Sequence, residues 1–202
     1  MILFRYSKTD GAEFISHLDV LKNLSRTFRR AGIKVGYSLG FNPHPLVYMS
    51  APIGVGVKSY SEYCLVETDE PPDSFKEKFN AFSRKGIKCT GAWATDKKVG
   101  VASDIVKAEY FVTGLSDFDP EEVVGKPFII TDRNGNEKDV SPLVYKIEKT
   151  DGGIKCVLGF GNGIRIEKFV KNLADRYGGE NVEAVKTRGL TEDERELEET
   201  LR

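Results

Sequence analysis

The sequence predicts an α+β protein built of two βαββαβ halves in tandem, the second degraded, and three observations carry that expectation. Along residues 1–95 the apolar residues switch between a period of two and a period of about 3.6 in a fixed order. Residues that start and stop helices stand where the period switches. After a polar stretch near residue 100 the same order returns in incomplete form. Such an order is the split βαβ of a ferredoxin-like domain.

Ile2–Ser7 alternates as a strand and turns at Thr9-Asp10-Gly11. Ser16 is placed as a helix N-cap, with Asp19 at the third helical position in a variant of the capping box. Leu18, Leu21, Leu24 and Phe28 recur at helical spacing, and Gly32 closes the helix. Ile33–Ser38 and Leu46–Ala51 read as short strands around a proline-rich loop, and Tyr60–Thr68 as a longer strand. Pro71-Pro72-Asp73 opens a second helix carrying Phe75, Phe79 and Phe82, Gly86 ends it, and Ile87–Ala94 supplies the last strand.

Residues 96–106 read as a linker and 107–188 as the second domain. Its expected strands are Ala108–Thr113, Phe128–Thr131, Val140–Lys149, Ile154–Phe160 and Val182–Lys186. Only a helical turn is expected at Asp119–Val124, since Gly125 and Pro127 cut it off, and a full helix is expected at Ile166–Tyr177. Hairpin turns are expected at Arg133-Asn134-Gly135-Asn136 and Asp151-Gly152-Gly153. Residues 189–202 form an acidic tail, with a helix over 191–201 striped by Leu197 and Leu201.

A hydrophobic content of 40% beside 30% charged residues excludes wholesale disorder. No apolar run approaches the roughly 20 residues that span a bilayer, and MILFRYSK lacks signal-peptide features, so a cytoplasmic location is expected. Cys64, Cys89 and Cys156 make no metal-ligand spacing, which leaves any metal chemistry to a partner, and Cys64 and Cys89 in apolar strand-like runs read as core residues.

Charge is uneven. Residues 1–45 carry seven cations (Arg5, Lys8, Lys22, Arg26, Arg29, Arg30, Lys34) against three acids (Asp10, Glu13, Asp19). Residues 189–202 carry six acids against Arg195 and Arg202, so the two ends suggest separate contact surfaces. Lys22, Arg26, Arg29 and Arg30 share one face of the first helix, and guanidiniums suit phosphate as bidentate forks. The loop Phe41-Asn42-Pro43-His44-Pro45 is stiffened by its prolines and presents His44, with Tyr37, Phe41 and Tyr48 nearby as base-stacking candidates. Asn42 offers an amide for a base edge. His17 and His44 are the two histidines and the candidates for acid–base chemistry near neutral pH. The glycines of 159–163 lack a nucleotide-binding pattern.

The runs Phe14-Ile15-Ser16-His17-Leu18-Asp19, Arg29-Arg30-Ala31-Gly32, Tyr37-Ser38, Gly40-Phe41-Asn42-Pro43-His44-Pro45 and Glu62-Tyr63 together resemble the radical-SAM-linked protein family. The likeness spans about residues 2–188 and is strongest through residue 66. It implies a bacterial cytoplasmic protein of unassigned biochemical role that occurs beside, or fused to, a radical-SAM protein. S-adenosylmethionine and an iron–sulfur cluster would then be expected only on that partner, with no cofactor in this chain. The chain departs from the family at Arg165-Ile166, at Lys138-Asp139-Val140 and in the tail after Gly189.

Three functions compete. The leading expectation is an RNA-binding accessory protein that presents tRNA or rRNA to a radical-SAM enzyme through Lys22, Arg26, Arg29, Arg30, Tyr37, Asn42 and His44. The second is a metal-independent endoribonuclease or RNA-modification subunit using His17 and His44, although no self-contained catalytic motif is readable. The third is a protein–protein adaptor that binds no nucleic acid.

Overall fold

The computed structural model describes residues 1–96, 99–131, 135–160 and 164–201. In chain order the elements are β1 (Ile2–Lys8), α1 (His17–Arg30), β2 (Val47–Met49), β3 (Lys58–Val66), α2 (Pro72–Phe82), β4 (Ile87–Ala94) and a short α3 (Val101–Asp104). There follow β5 (Lys107–Leu115), β6 (Ile129–Thr131), β7 (Glu137–Asp139), β8 (Val144–Thr150), β9 (Gly153–Gly159), α4 (Ile166–Tyr177) and β10 (Gly179–Leu190). The result is a mixed α and β structure with a mostly sheet core.

One eight-stranded sheet runs through the chain in the order β4-β1-β3-β10-β5-β9-β8, with β2 paired to β3 off this path. Each half, taken alone, repeats one order: β4-β1-β3-β2 in the first and β10-β5-β9-β8 in the second, all antiparallel. The halves meet where β3 and β10 pair in parallel, through Lys58 with Val185 and Ser59 with Lys186. In the second half the place of α1 is taken by a 3-10 turn at Pro120–Glu122 and the small β6–β7 sheet.

One sheet face carries the long helices. In the first half Phe4 sits at the centre of Phe28, Phe75 and Phe79, with ring centroids 5.1–6.1 Å from its own. In the second half Tyr110, Val112, Cys156 and Leu158 pack under Phe169, Val170 and Leu173 of α4. The other face is covered in its middle by Val101, Ile105 and Leu197 over Leu3, Tyr63 and Leu65. That second cover explains why nearly every residue of β1 is buried instead of every other one.

The join between the halves is polar and buried. The Lys186 amine lies 2.8 Å from Oε1 of Glu62, which also accepts a hydrogen bond from Ser59 Oγ at 2.8 Å. Both charged side chains are almost fully buried, at 1% and 5% exposure. Ser61 Oγ accepts the Gly189 amide at 2.9 Å and closes the same junction. Burial, and then the charge of Glu62, raises the pKa of Tyr6, while burial lowers that of Lys8 against the pull of Glu62 and Glu13.

Several expectations are corrected. Ile33–Ser38 is not a strand: Gly32 turns the chain in the left-handed region, and only Tyr37 bridges to Pro45. The expected Leu46–Ala51 strand shrinks to β2, because the backbone partners of β3 on that side are shared with β10. Leu18 and Phe82, assigned to apolar stripes, are 65% and 48% exposed, and Val20 and Thr27 take the buried positions of α1. The expected Val140–Lys149 strand begins only at Val144, because a 3-10 turn at Ser141–Leu143, with Pro142 in its first turn, precedes it. Residues 191–201 form no α-helix, since Glu194 takes a positive φ and the chain tightens into 3-10 geometry at Leu197–Leu201. The Asp151–Gly153 turn is present between β8 and β9, whereas Arg133 and Asn134 of the other expected turn, and Gly161–Gly163, lie outside the described residues.

The buried pair generates a stability prediction. Lys186→Met should cost about 3–5 kcal/mol in urea unfolding because the buried Glu62 loses its ion-pair partner, and Lys186→Met with Glu62→Leu should cost less than either single change. A double variant as damaged as the sum of the singles would contradict the coupling. The thiols generate a second. Burial pushes Cys89 and Cys156 up to about 12 and holds Cys64 well above the usual thiol range, so an aromatic disulfide reagent should titrate no thiol before unfolding.

Candidate functional site

Helix α1 begins as its sequence dictates. Ser16 Oγ accepts the Asp19 amide at 3.2 Å and donates to the Asp19 carboxylate at 2.7 Å. That hydroxyl, reinforced by Lys22, holds the Asp19 carboxyl below its usual range. Lys22 is engaged with Asp19 at 3.6 Å. Arg26, Arg29 and Arg30 are exposed, and none of their guanidinium groups forms an ion pair or hydrogen bond among the described residues. Arg29 and Arg30 also close the last turn, where the helix dipole favours cations.

Directly after the helix, residues 36–46 form a hairpin-like loop. Its base is tied by the Gly36 amide to the Glu67 carbonyl (2.8 Å) and the Leu46 amide to the Gly36 carbonyl (2.8 Å). Above it the Ser38 amide donates to the His44 carbonyl at 2.9 Å, and Ser38 Oγ accepts the His44 amide at 3.1 Å. The same hydroxyl lies 2.8 Å from His44 Nδ1, which holds the ring by that nitrogen and leaves Nε2 as its other polar atom. The tip turns at Gly40, where φ of 120° suits glycine alone. Leu39 and Phe41 there are fully exposed, at 101% and 107%, with Asn42 exposed beside them.

The structure therefore brings Arg26, Arg29, Arg30, Tyr37, Asn42 and His44 to one end of the first half. His17 is elsewhere. It opens α1, whose fourteen residues span about 20 Å, near the start of β3, where the Gly56 amide reaches the Glu13 carbonyl. The hairpin is tied one residue beyond the other end of β3, so His17 and His44 stand at opposite ends of the helix and share no site. Tyr48 also separates from the group, because β2 turns it toward the Val101 segment on the far sheet face.

A groove of about 570 Å³ runs beside the hairpin base, lined by Lys34, Gly36, Glu67, Asp69, Glu70 and Lys78. Hydrogen bonds from Lys78 and Ser74 hold Glu70 below the usual carboxylate range. None of the three arginines lines this groove, so an anionic ligand is favoured on the outer helix face and disfavoured in the groove. Sequence reading missed Leu39 as part of the site. Its signal was an apolar residue between Ser38 and Gly40 with no periodic partner. Among the described residues, no group of three or more His, Cys, Asp and Glu could hold a metal ion, and no helix is long and apolar enough to cross a membrane.

Ser38→Ala should leave global stability within about 0.5 kcal/mol, since the loop is a surface feature. It should speed exchange of the His44 amide hydrogen, and unchanged exchange would mean that the hydroxyl does not order the loop.

Residues 1–172 match a family described as an uncharacterized protein conserved in bacteria (DUF2344). No curated protein matches the chain.

Proposed function

The chain belongs to that bacterial family, and from this premise we propose that it is an RNA-binding accessory protein that presents tRNA or rRNA to a separate radical-SAM enzyme. The observation that carries this reading is three exposed, unpaired arginines on one helix face at the same end as an ordered loop bearing Phe41, Asn42 and His44. The guanidiniums would hold phosphates, Phe41 and Tyr37 would stack on unpaired bases, and Asn42 and His44 Nε2 would meet base edges. In this reading the two halves are tandem ferredoxin-like units that act in the cytoplasm. S-adenosylmethionine and the iron–sulfur cluster belong to the partner.

The full exposure of Leu39 and Phe41 favours a second reading, in which the loop tip anchors in an apolar pocket of a partner protein. The two readings part experimentally. Arg26→Glu, Arg29→Glu and Arg30→Glu combined should weaken binding of fluorescent tRNA at least ten-fold and reduce the salt slope by about two to three. Unchanged affinity and slope would remove the helix face from the proposal. Leu39→Ser with Phe41→Ser should spare tRNA affinity but abolish co-purification of a radical-SAM protein if the tip is the protein anchor.

A further inference from the structure

The acidic tail does not lie free. After Leu190 the chain folds back across the sheet face opposite the long helices, pinned by the Leu190–Glu196 bridge and by buried Leu197. Alternate residues Glu192, Glu194, Glu196 and Glu198 each meet a partner on that face. Glu196 and Glu198 lie 2.7 and 3.0 Å from Arg5, and Arg188 stands 3.9 Å from Glu196. Tyr63 donates its hydroxyl to Glu198 at 2.6 Å. Lys107 lies 3.6 and 3.9 Å from Glu192 and Glu194, and donates to the Glu192 carbonyl at 2.8 Å.

These partners form a row. Arg5 is on β1 and Tyr63 is its registered neighbour on β3; Arg188 follows on β10, opposite Glu109 of β5, and Lys107 stands two residues along β5 from Glu109, opposite Leu190. Four adjacent strands place the row's ends about 15 Å apart. Aromatic rings flank it: Trp93 lies across Gly91, where a side chain would collide with the indole, and sits 5.8 Å from the Arg5 guanidinium. Tyr145 lies 4.2 Å from the Lys107 amine at the other end. The tail leaves an open cleft of about 310 Å³ beside Trp93, lined also by Glu198, Glu199 and Leu201.

Cations in a row with flanking aromatics are the chemistry of a single-stranded nucleic-acid track, and a chain with a carboxylate at every second residue is a polyanion that imitates its backbone. We infer that this sheet face is a second single-stranded RNA site, distinct from the α1 surface, and that residues 191–201 are its built-in competitor. Displacement of the tail opens the row. An extended RNA then replaces carboxylates with phosphates on Arg5, Arg188 and Lys107, and a base stacks on Trp93. The inference rests on RNA as the ligand but not on the α1 face.

The test uses the full chain with Glu192, Glu194, Glu196 and Glu198 all changed to Gln, which keeps Leu197 in place. Binding of a fluorescent oligouridylate of about 12 nucleotides should tighten about ten-fold at 0.1 M salt relative to the unaltered chain. The gain should persist when Arg26, Arg29 and Arg30 are Glu, and vanish when Arg5→Gln and Arg188→Gln are added. Urea unfolding of each variant confirms that the protein is folded. No gain in either background overturns the inference, whatever becomes of the α1 surface. A gain that survives loss of Arg5 and Arg188 also overturns it, because the effect would then be one of net charge. A gain for an oligoglutamate peptide but not for the oligouridylate overturns RNA as the ligand and assigns the row to an acidic protein.

Discussion

The fold depends on the pairing of β3 with β10, and within it on the ion pair between Lys186 and Glu62. Backbone registration at this join is short, with two residue pairs, so its cohesion rests on side chains. An isolated charge in such a buried place would cost several kcal/mol, whereas the pair with its Ser59 hydrogen bond is tolerated in one register only. Slipping β10 by one residue would turn Lys186 to the opposite face and strand Glu62. The ion pair therefore sets which residues of β3 and β10 share a face at the join.

One consequence is that the two sheet faces have different characters. The helix-bearing face is apolar in each half, with Phe4 and Phe169 at the two centres. The opposite face carries an apolar patch around Leu3, Tyr63 and Leu65, with the charged Arg5 and Arg188 beside it. A tail with one buried leucine and alternating glutamates satisfies both parts: Leu197 covers the patch while the carboxylates neutralise the cations around it. The basic front and acidic tail of the sequence, expected to be separate surfaces, thus meet at Arg5.

Another consequence concerns the α1 end. Because α1 runs antiparallel to β1, its cationic last turn arrives at the end of the sheet where β3 stops and the 36–46 loop is anchored. Charge, aromatic tip and the ordered imidazole of His44 come together there by chain direction alone. His17 is carried away by the same geometry, which separates the histidines of the acid–base expectation.

What the sequence determined by itself was local. Period and capping residues located α1, α2, α4 and the longer strands, because a helix start such as Ser16-His17-Leu18-Asp19 is satisfied within four residues. The proline-stiffened loop and its exposed histidine were legible for the same reason, and so was the arginine face. Tertiary structure decided what needs partners far along the chain. The Glu62–Lys186 pair joins residues 124 positions apart, and Arg5 finds Glu196 across 191. It also decided the fate of the tail. Periodicity in 191–201 favoured a helix, yet the gain from seating Leu197 on Leu3 and Leu65 and four carboxylates on a cationic row outweighs the few hydrogen bonds of so short a helix.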